Sequence, residues 1–342
     1  MRAAAVAFTR RGAALGKTLA DALGGQLYTS ARLSSELGLP AVEDLTAWTG
    51  ARFADAEAIV FLSATGIAVR AIAPHVRDKF TDPAVVSVDE AGRFAVPLLS
   101  GHVGGANTLA QRIAALTGGQ AVVSTATDVN GRFAVDVWAK AQNLVLVERA
   151  AAKAVSAAIL EGTPVGFRSR YPVSGPLPEG LTGGAAAIGI LVDDTAGENP
   201  YETTLHLVPR AVTLGLGCRR GTTREALEAK ISQVLAAHQL PWAAVTALAS
   251  IDLKSDEPGL LALAEAYHLQ THFYPAAALA AEPGDFPASE LVSRVTGVDN
   301  VCQRAAQRAG GRVFLPKTAG GGVTVAAAMG DVHLTFPSEG RA

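Results

Sequence analysis

The chain is poor in cysteine, in aromatic residues and in charge. Of its 342 residues only two are cysteine, Cys218 and Cys302. Neither belongs to a C-x-x-C motif, which disfavours both a disulfide framework and a structural zinc site. Charged residues make up 18% of the sequence, and the formal net charge is −2. Broad nucleic-acid binding needs a basic face, and this balance argues against one. No run approaches the roughly 18 apolar residues of a membrane span. The opening "MRAAAVAFTRRG" is a short apolar stretch followed by charge, without the longer apolar core and cleavage site of a signal peptide. A cytoplasmic protein with no membrane and no nucleic-acid partner is the expectation.

What is present is small and apolar. Hydrophobic residues reach 49%, with 35 glycines and only 6% aromatics, so sizeable cores can form and helices can approach a sheet closely. The first third repeats one pattern of apolar strand, small-residue loop and helix. Its strands are "AAAVAFT" (3–9), "EAIVFLS" (57–63), "RFAVPLLS" (93–100) and "QAVVSTATD" (120–128). That alternation predicts a parallel sheet with helices on its faces. Functional loops then follow the carboxyl ends of the strands. The four loops, 9–12, 63–66, 100–107 and 124–128, are expected to share one edge.

The middle of the chain differs. "YPVSGPLPEGLTGG" (171–184) reads as loop, flanked by the strands "TPVGFRS" and "AAIGILVDD". A new unit opens near Ala211 with strand, glycine turn and helix. Thr222 and Glu225 fit a T-x-x-E capping box there. Leu227, Ile231, Val234 and Leu235 fall on one helical face. A second such unit has Ser255 or Asp256 as its cap. "GVDNVCQRAAQRAGG" predicts a helix begun at Asp299 or Asn300, and "GRVFLPKTAGGGVTVAAAM" two strands around a glycine loop. The expected fold is α/β: two parallel-sheet domains with helices on both faces, 1–140 and 209–336, joined by a small middle region, 141–208.

Several motifs fail on spacing. "GAALGKT" (12–18) has three residues, not four, before its Gly-Lys-Thr, so it does not match a phosphate-binding P-loop. "GHVGG" (101–105) is not G-x-G-x-x-G, and no acidic residue ends a strand about 20 residues on. No histidine pair has convincing metal spacing; His268 and His272 straddle a helix end. There is no G-x-S-x-G elbow. Cys218, in "GLGCRRG", is either a nucleophile beside two arginines or a small residue filling a turn. What remains is a set of Gly/Ser/Thr loops whose amides suit anions. Arg70, His75, Arg219, Arg220, Lys254 and Lys317 stand on or near them. The expectation is a pocket for a large ligand with several carboxylates.

"SATGIAVRAIAPHVRDKF…" through "LLSGHVGGANTLAQRIAALTGGQAVVSTATD" resembles the N-terminal domain of the cobalt-precorrin-5A hydrolase family. "LGLGCRRGTT", "ASIDLKSDEPGL" and "GVDNVCQRAA…LPKTAGGGVTVAAA" resemble its C-terminal domain. The match runs through nearly the whole chain in family order, and is loosest over 145–207. The resemblance implies an enzyme of the oxygen-independent route to cobalamin. It would open the ring-expanded δ-lactone of cobalt-precorrin-5A and release acetaldehyde, giving cobalt-precorrin-5B. The cobalt would be carried by the substrate, with no further cofactor. The alternative class is a non-catalytic corrinoid carrier.

Lactone opening needs a base to activate water and donors for an oxyanion. On the resemblance, His102 is the first candidate base, its alternative being to orient its loop. Asp128 is the second, its alternative a helix cap. Lys254, Asp256 and Glu257 form the other polar cluster, with Lys254 and Glu257 as candidate catalytic groups. The Gly104 and Gly105 amides are candidate oxyanion donors. Ser63, Thr65, Gly66, Arg70, Ser100, Gly101, Asn107, Thr125, Thr127, Cys218, Arg219, Arg220 and Lys317 complete the expected substrate contacts. Neighbouring enzymes of the pathway are possible partners. Gln303 stands where relatives commonly carry Glu; at N3 of a helix capped by Asn300, either residue serves a capping box.

Overall fold

The computed structural model describes residues 2–78, 81–102, 104–288, 293–294 and 296–336; the side chain of Asp128 also lies outside what is described. The chain divides into two compact units, Met1–Arg132 and Phe133–Ala342. Among the described residues, no helix is long and apolar enough to cross a membrane.

In chain order the first unit contains β1 (Ala3–Ala7), α1 (Arg10–Leu23), β2 (Gln26–Ser30), α2 (Ala31–Leu37), β3 (Ala41–Val42), α3 (Leu45–Asp55) and β4 (Ala58–Leu62). It continues with α4 (Thr65–Ile72), β5 (Ala84–Val88), β6 (Phe94–Leu99), α5 (Ala106–Thr117), β7 (Gln120–Ala121) and α6 (Ala126–Val129). The sheet order is β3-β2-β1-β4-β5-β6-β7. Strands such as Ala58–Leu62 are apolar at every position because both faces are covered. Ala5, Ala7, Val60, Leu62 and Val86 pack under α1 and α5. Val6, Ile59, Phe61 and Val85 pack under α3 and α4. The "GAALGKT" segment lies inside α1, so it forms no phosphate loop.

The sheet is not parallel throughout. β1 to β5 run parallel, but β6 is antiparallel to β5, and β7 follows β6. The reversal is a tight hairpin organised by Asp89. Its carboxylate accepts the Ala91 amide at 2.9 Å and the Phe94 amide at 2.7 Å. The four glycine/hydroxyl loops therefore do not share an edge. Loops 9–12 and 63–66 follow β1 and β4 at one edge; loops 100–107 and 124–128 follow β6 and β7 at the other. Five strand residues, roughly 16 Å, separate the two edges.

The second unit begins with α7 (Val135–Ala141), β8 (Leu144–Leu146), α8 (Arg149–Glu161), β9 (Val165–Ser169), β10 (Val173–Ser174), β11 (Leu181–Thr182), β12 (Ile188–Val192) and β13 (Thr203–Pro209). It goes on with β14 (Val212–Cys218), α9 (Arg224–Ala237), β15 (Val245–Ile251), α10 (Pro258–Ala266), β16 (Gln270–Tyr274), α11 (Ala276–Ala280), α12 (Val301–Gly310), β17 (Arg312–Gly320), β18 (Val323–Met329) and β19 (Leu334–Thr335). Two five-stranded sheets result, β11-β9-β12-β13-β8 and β16-β15-β14-β18-β17, each mostly parallel or mixed with an antiparallel edge. In the first of these, Trp138 of α7 stacks on Phe336 and meets Phe167 edge-on, so α7 belongs to this core.

Asp194, after β12, ties the two sheets of this unit together. Its carboxylate accepts the Tyr171 hydroxyl and both oxygens face Arg312 Nη2, at 3.1 and 2.9 Å. Burial, and then the bond to Asp194, push the Tyr171 hydroxyl well above the usual phenol range.

In the second sheet α9 and α10 cover one face, and Leu227, Ile231, Val234 and Leu235 are all buried in that core. The cap of α9 is Thr223, which accepts the Ala226 amide, and not Thr222, whose hydroxyl donates to the Arg219 carbonyl. Nor do Ser255 or Asp256 cap α10. Glu257 holds that position, with Pro258 in the first turn, where a missing N–H costs nothing. On the other face α12 lies directly on β14. A Cβ at Gly215 would enter the van der Waals sphere of the Cys302 carbonyl oxygen. Gly215→Ala must therefore push α12 off the sheet. We expect a loss of about 2 kcal/mol or more, from overpacking, as a lowered midpoint in urea unfolding.

Candidate functional site

The loop between β6 and α5 is built from its own hydrogen bonds. Ser100 is buried and takes φ +57°, a left-handed conformation unusual for a residue with a side chain. Its hydroxyl donates to the Asp82 carbonyl at 2.9 Å. The Asp82 carboxylate in turn accepts the Arg77 and Asp78 amides at 2.8 and 3.0 Å. The chain then folds back: Gly105, Ala106 and Asn107 donate their amides to the His102, Ser100 and Gly101 carbonyls. Gly104 is required because a Cβ there would meet Ser100 side chain and backbone. Gly105 caps α5 at φ +89°, where glycine alone is unstrained. Val103 lies outside the described residues.

Two side-chain bonds connect this loop to the segment after β7. Asn107 Nδ2 donates to Thr125 Oγ1 at 2.8 Å, and His102 Nε2 lies 2.9 Å from Thr127 Oγ1. The structure thus brings Ser100, Gly101, His102, Gly104, Gly105, Asn107, Thr125 and Thr127 to one edge. Asp128 stands in α6 beside them, with its side chain outside what is described. The Gly105 amide is engaged within the loop, at 2.9 Å from the His102 carbonyl.

Ser63, Thr65, Gly66 and Arg70 stand at or near the opposite edge. Thr65 Oγ1 lies 3.3 Å from Ser87 Oγ, which also reaches the Ser63 carbonyl. Thr9 caps α1 and donates to Glu90 at 2.8 Å. A cavity of about 440 Å³ opens here, lined by Thr9, Arg10, Arg32, Leu33 and Glu36. Arg70 is exposed on α4. His75 does not face an anion site: its Nε2 bonds the Thr46 carbonyl at 2.8 Å and its ring packs on Phe53.

In the second unit the loops after β14 and β15 are clasped by Glu257. This residue is fully buried. One carboxylate oxygen accepts the Gly221 amide at 2.6 Å and the other accepts Lys254 Nζ at 2.8 Å. The Lys254 hydrogen bond, aided by the Gly221 amide, holds the carboxyl below the usual range against the opposing effect of burial. Both oxygens are occupied, which suits a clasp better than a proton carrier. Arg220 and Asp256 pair at 2.6 Å on the surface. Cys218 is half-buried at the end of β14; burial pushes its thiol up despite Lys254, the opposite of what an activated thiolate needs. Arg219 packs against Gly322, and Lys317 projects from β17. Asp82 and Ser87 lie outside the sequence motifs above. "FTDP" holds the signal for the first: an Asp-Pro turn before a strand, where a short carboxylate collects backbone amides.

Comparison with known proteins follows this division. Residues 47–128 match the family model described as Cobalamin synthesis G N-terminal, 133–209 the Cobalamin biosynthesis central region, and 212–328 the Cobalamin synthesis G C-terminus. These define the class, an α/β protein of cobalamin synthesis. A cobalt-precorrin-5A hydrolase of Salmonella typhimurium is 35% identical over 312 residues, covering 87% of this chain and 89% of its own. One from Priestia megaterium is 31% identical over 300 residues, covering 81% and 79%. The chain belongs to the cobalt-precorrin-5A hydrolase family.

The Glu257 clasp has a pH signature. Its folded pKa lies below the unfolded value, so its stabilisation is present above the ordinary carboxylate range, roughly pH 4.3, and is lost as pH falls through the depressed folded value. Glu257→Gln should lower stability at pH 7 by on the order of 2 kcal/mol, because Lys254 loses its partner. The gap to the unsubstituted chain should close in acid. Denaturant unfolding at pH 7 and pH 3 measures this, and a gap independent of pH would show that the ion pair contributes nothing.

Proposed function

We propose that this chain hydrolyses cobalt-precorrin-5A in cobalamin biosynthesis, opening its δ-lactone and releasing acetaldehyde to give cobalt-precorrin-5B. The observation that carries the proposal is the extent of the family match: 35% identity to a protein of that name over 87% of this chain. In this reading the cobalt is part of the substrate, and the product passes in the cytoplasm to the next enzyme of the route.

Two proton transfers are needed. Water adds to the lactone carbonyl while a base takes its proton, and the tetrahedral oxyanion collapses to a carboxylate and a free hydroxyl. A base then removes that hydroxyl proton. A carbon–carbon bond breaks, its electron pair stays on the macrocycle, and the two-carbon fragment leaves as acetaldehyde. We assign the base to His102, oriented by Thr127, with Asp128 as the second acid–base group. The Gly104 amide serves the oxyanion. Ser100, Gly101, Asn107 and Thr125 shape this edge. Taken by itself, the second unit offers Arg219, Arg220, Lys254 and Lys317 as groups suited to carboxylates, with Cys218 next to Arg219. Ser63, Thr65, Gly66 and Arg70, at the far edge of the first sheet, serve carboxylate binding and not proton transfer.

Authentic cobalt-precorrin-5A should yield one acetaldehyde per turnover, detected by a coupled alcohol dehydrogenase assay. His102→Gln should lower kcat by about 100-fold or more, the usual contribution of a positioned acid–base group. Tight corrinoid binding with no acetaldehyde would mark a carrier and sink the hydrolase reading. Turnover undiminished in His102→Gln would remove His102 from the chemistry.

A further inference from the structure

In the middle of the chain a buried phenol makes no hydrogen bond. Tyr201 is only 7% exposed, and its hydroxyl meets no partner among the described residues. Its backbone is fixed just before β13. The Tyr201 amide donates to Thr204 Oγ1 at 3.2 Å, and that hydroxyl donates to the Tyr201 carbonyl at 3.1 Å. The ring lies on the sheet over two paired glycines, Gly166 of β9 and Gly189 of β12. A Cβ at Gly189 would overlap ring atoms Cγ, Cδ2 and Cε2; one at Gly166 would overlap Cε1, Cζ and the hydroxyl. The ring therefore runs from β12 to β9, with its hydroxyl end over β9. Strand alternation puts Val165, Phe167, Ile190 and Val192 on the opposite face, in the core with α8.

One cation shares the phenol's face. Arg168 stands two residues beyond Gly166 on β9 and is exposed. Its guanidinium carbon lies over the Tyr201 ring, 5.7 Å from the centroid. No carboxylate of a described residue pairs with it. A guanidinium has only donors, so it cannot take the phenol hydrogen. Burial pushes the Tyr201 hydroxyl above the usual phenol range, so that hydrogen stays in place. On the other side of Gly166 the register places Thr182 of β11, whose hydroxyl oxygen accepts the Gly184 amide at 3.1 Å. Between them Gly183 has open space where a side chain would be. Two donors thus stand together without an acceptor, one neutral and buried, the other cationic and exposed. A buried donor left unsatisfied costs on the scale of a lost hydrogen bond. Phenylalanine would fill the same bed without that cost, so the hydroxyl calls for an acceptor from outside the chain.

We propose that the Tyr201 hydroxyl and Arg168 form a binding subsite for one carboxylate of the ligand, on the face of this sheet turned away from α8. One carboxylate oxygen accepts the phenol hydrogen and the other accepts Arg168. The carboxylate enters where the Arg168 side chain now covers the ring, and draws the guanidinium to itself. This deepens the function proposed above, rests on its polycarboxylated substrate class, and gives the middle region a part in holding that substrate.

The test titrates cobyrinic acid, a corrinoid with free carboxylates, and its heptamethyl ester into the full chain by tryptophan quenching. Tyr201→Phe and Arg168→Met should each weaken binding of the acid about tenfold, the scale of one hydrogen bond to a charged group. The ester has no carboxylate to lose, so the three proteins should treat it alike. Thermal unfolding separates binding from packing. Tyr201→Phe removes only an unsatisfied hydroxyl, so its melting temperature should equal or exceed that of the unsubstituted chain. A lowered melting temperature with unchanged acid binding would assign the hydroxyl to a trapped water, and the subsite falls. It also falls if either variant binds the acid as tightly as the unsubstituted chain, if acid and ester weaken equally, or if the unsubstituted chain does not bind the acid. If the unsubstituted chain releases no acetaldehyde from cobalt-precorrin-5A but these binding contrasts hold, the reaction proposal falls and the carboxylate subsite stands. If acetaldehyde is released and both variants keep the KM of the unsubstituted chain, the subsite falls and the reaction stands.

Discussion

The two amide bonds accepted by Asp89 settle where the loop chemistry of the first unit can act. They close the hairpin after β5, turn β6 around, and send β7 with it. Every loop that follows β6 or β7 is delivered to the edge opposite the carboxyl ends of β1 and β4. His102, Asn107, Thr125 and Thr127 can meet only because both of their segments leave the sheet in this reversed sense. The hydroxyl cluster of Thr65 and Ser87 sits across the sheet for the same reason. A doubly wound sheet ordinarily gathers its loops at one end; here the short hairpin that Asp89 closes divides them.

Carboxylates do comparable work in the second unit. Asp194 draws Tyr171 and Arg312 together, and Glu257 draws the Gly221 amide and Lys254 together. In each case a buried acid has its oxygens filled by donors from separate segments, so its desolvation is offset by directed bonds. The loops that end β14 and β15 are ordered by such a clasp and not by the weak local preferences of glycine. The cationic groups Arg219 and Arg220 are thereby displayed from a fixed frame.

The α/β class was legible because strands covered on two faces must be apolar throughout, and runs such as "AIVFL" declare this. The helix faces of α9 and the cap of α12 by Asn300 were legible from period and spacing alone. Strand direction was not. "AVVSVDEAGRFAVPLL" places two apolar runs about five residues apart, too close for a parallel crossover. The repeating strand–loop–helix pattern overrides that signal when the second run is read by itself. The caps near 222 and 256 slip by one position because several adjacent Ser, Thr and Asp residues compete, and only the bond actually made decides. The glycines of "SGHVGGAN" read equally as room for a ligand and as room for the chain. Gly104 proves to be the second kind, since its neighbour is Ser100.

Ser100 itself shows what that loop gains from a strained residue. Glycine would hold the same left-handed backbone without the strain a side chain brings, which is about 1 kcal/mol or more. The residue present is serine, and its hydroxyl donates to the Asp82 carbonyl. Drift toward glycine would ease the turn while unlinking the loop from the segment that precedes β5. The position thus trades backbone strain for a tether between two segments of the chain.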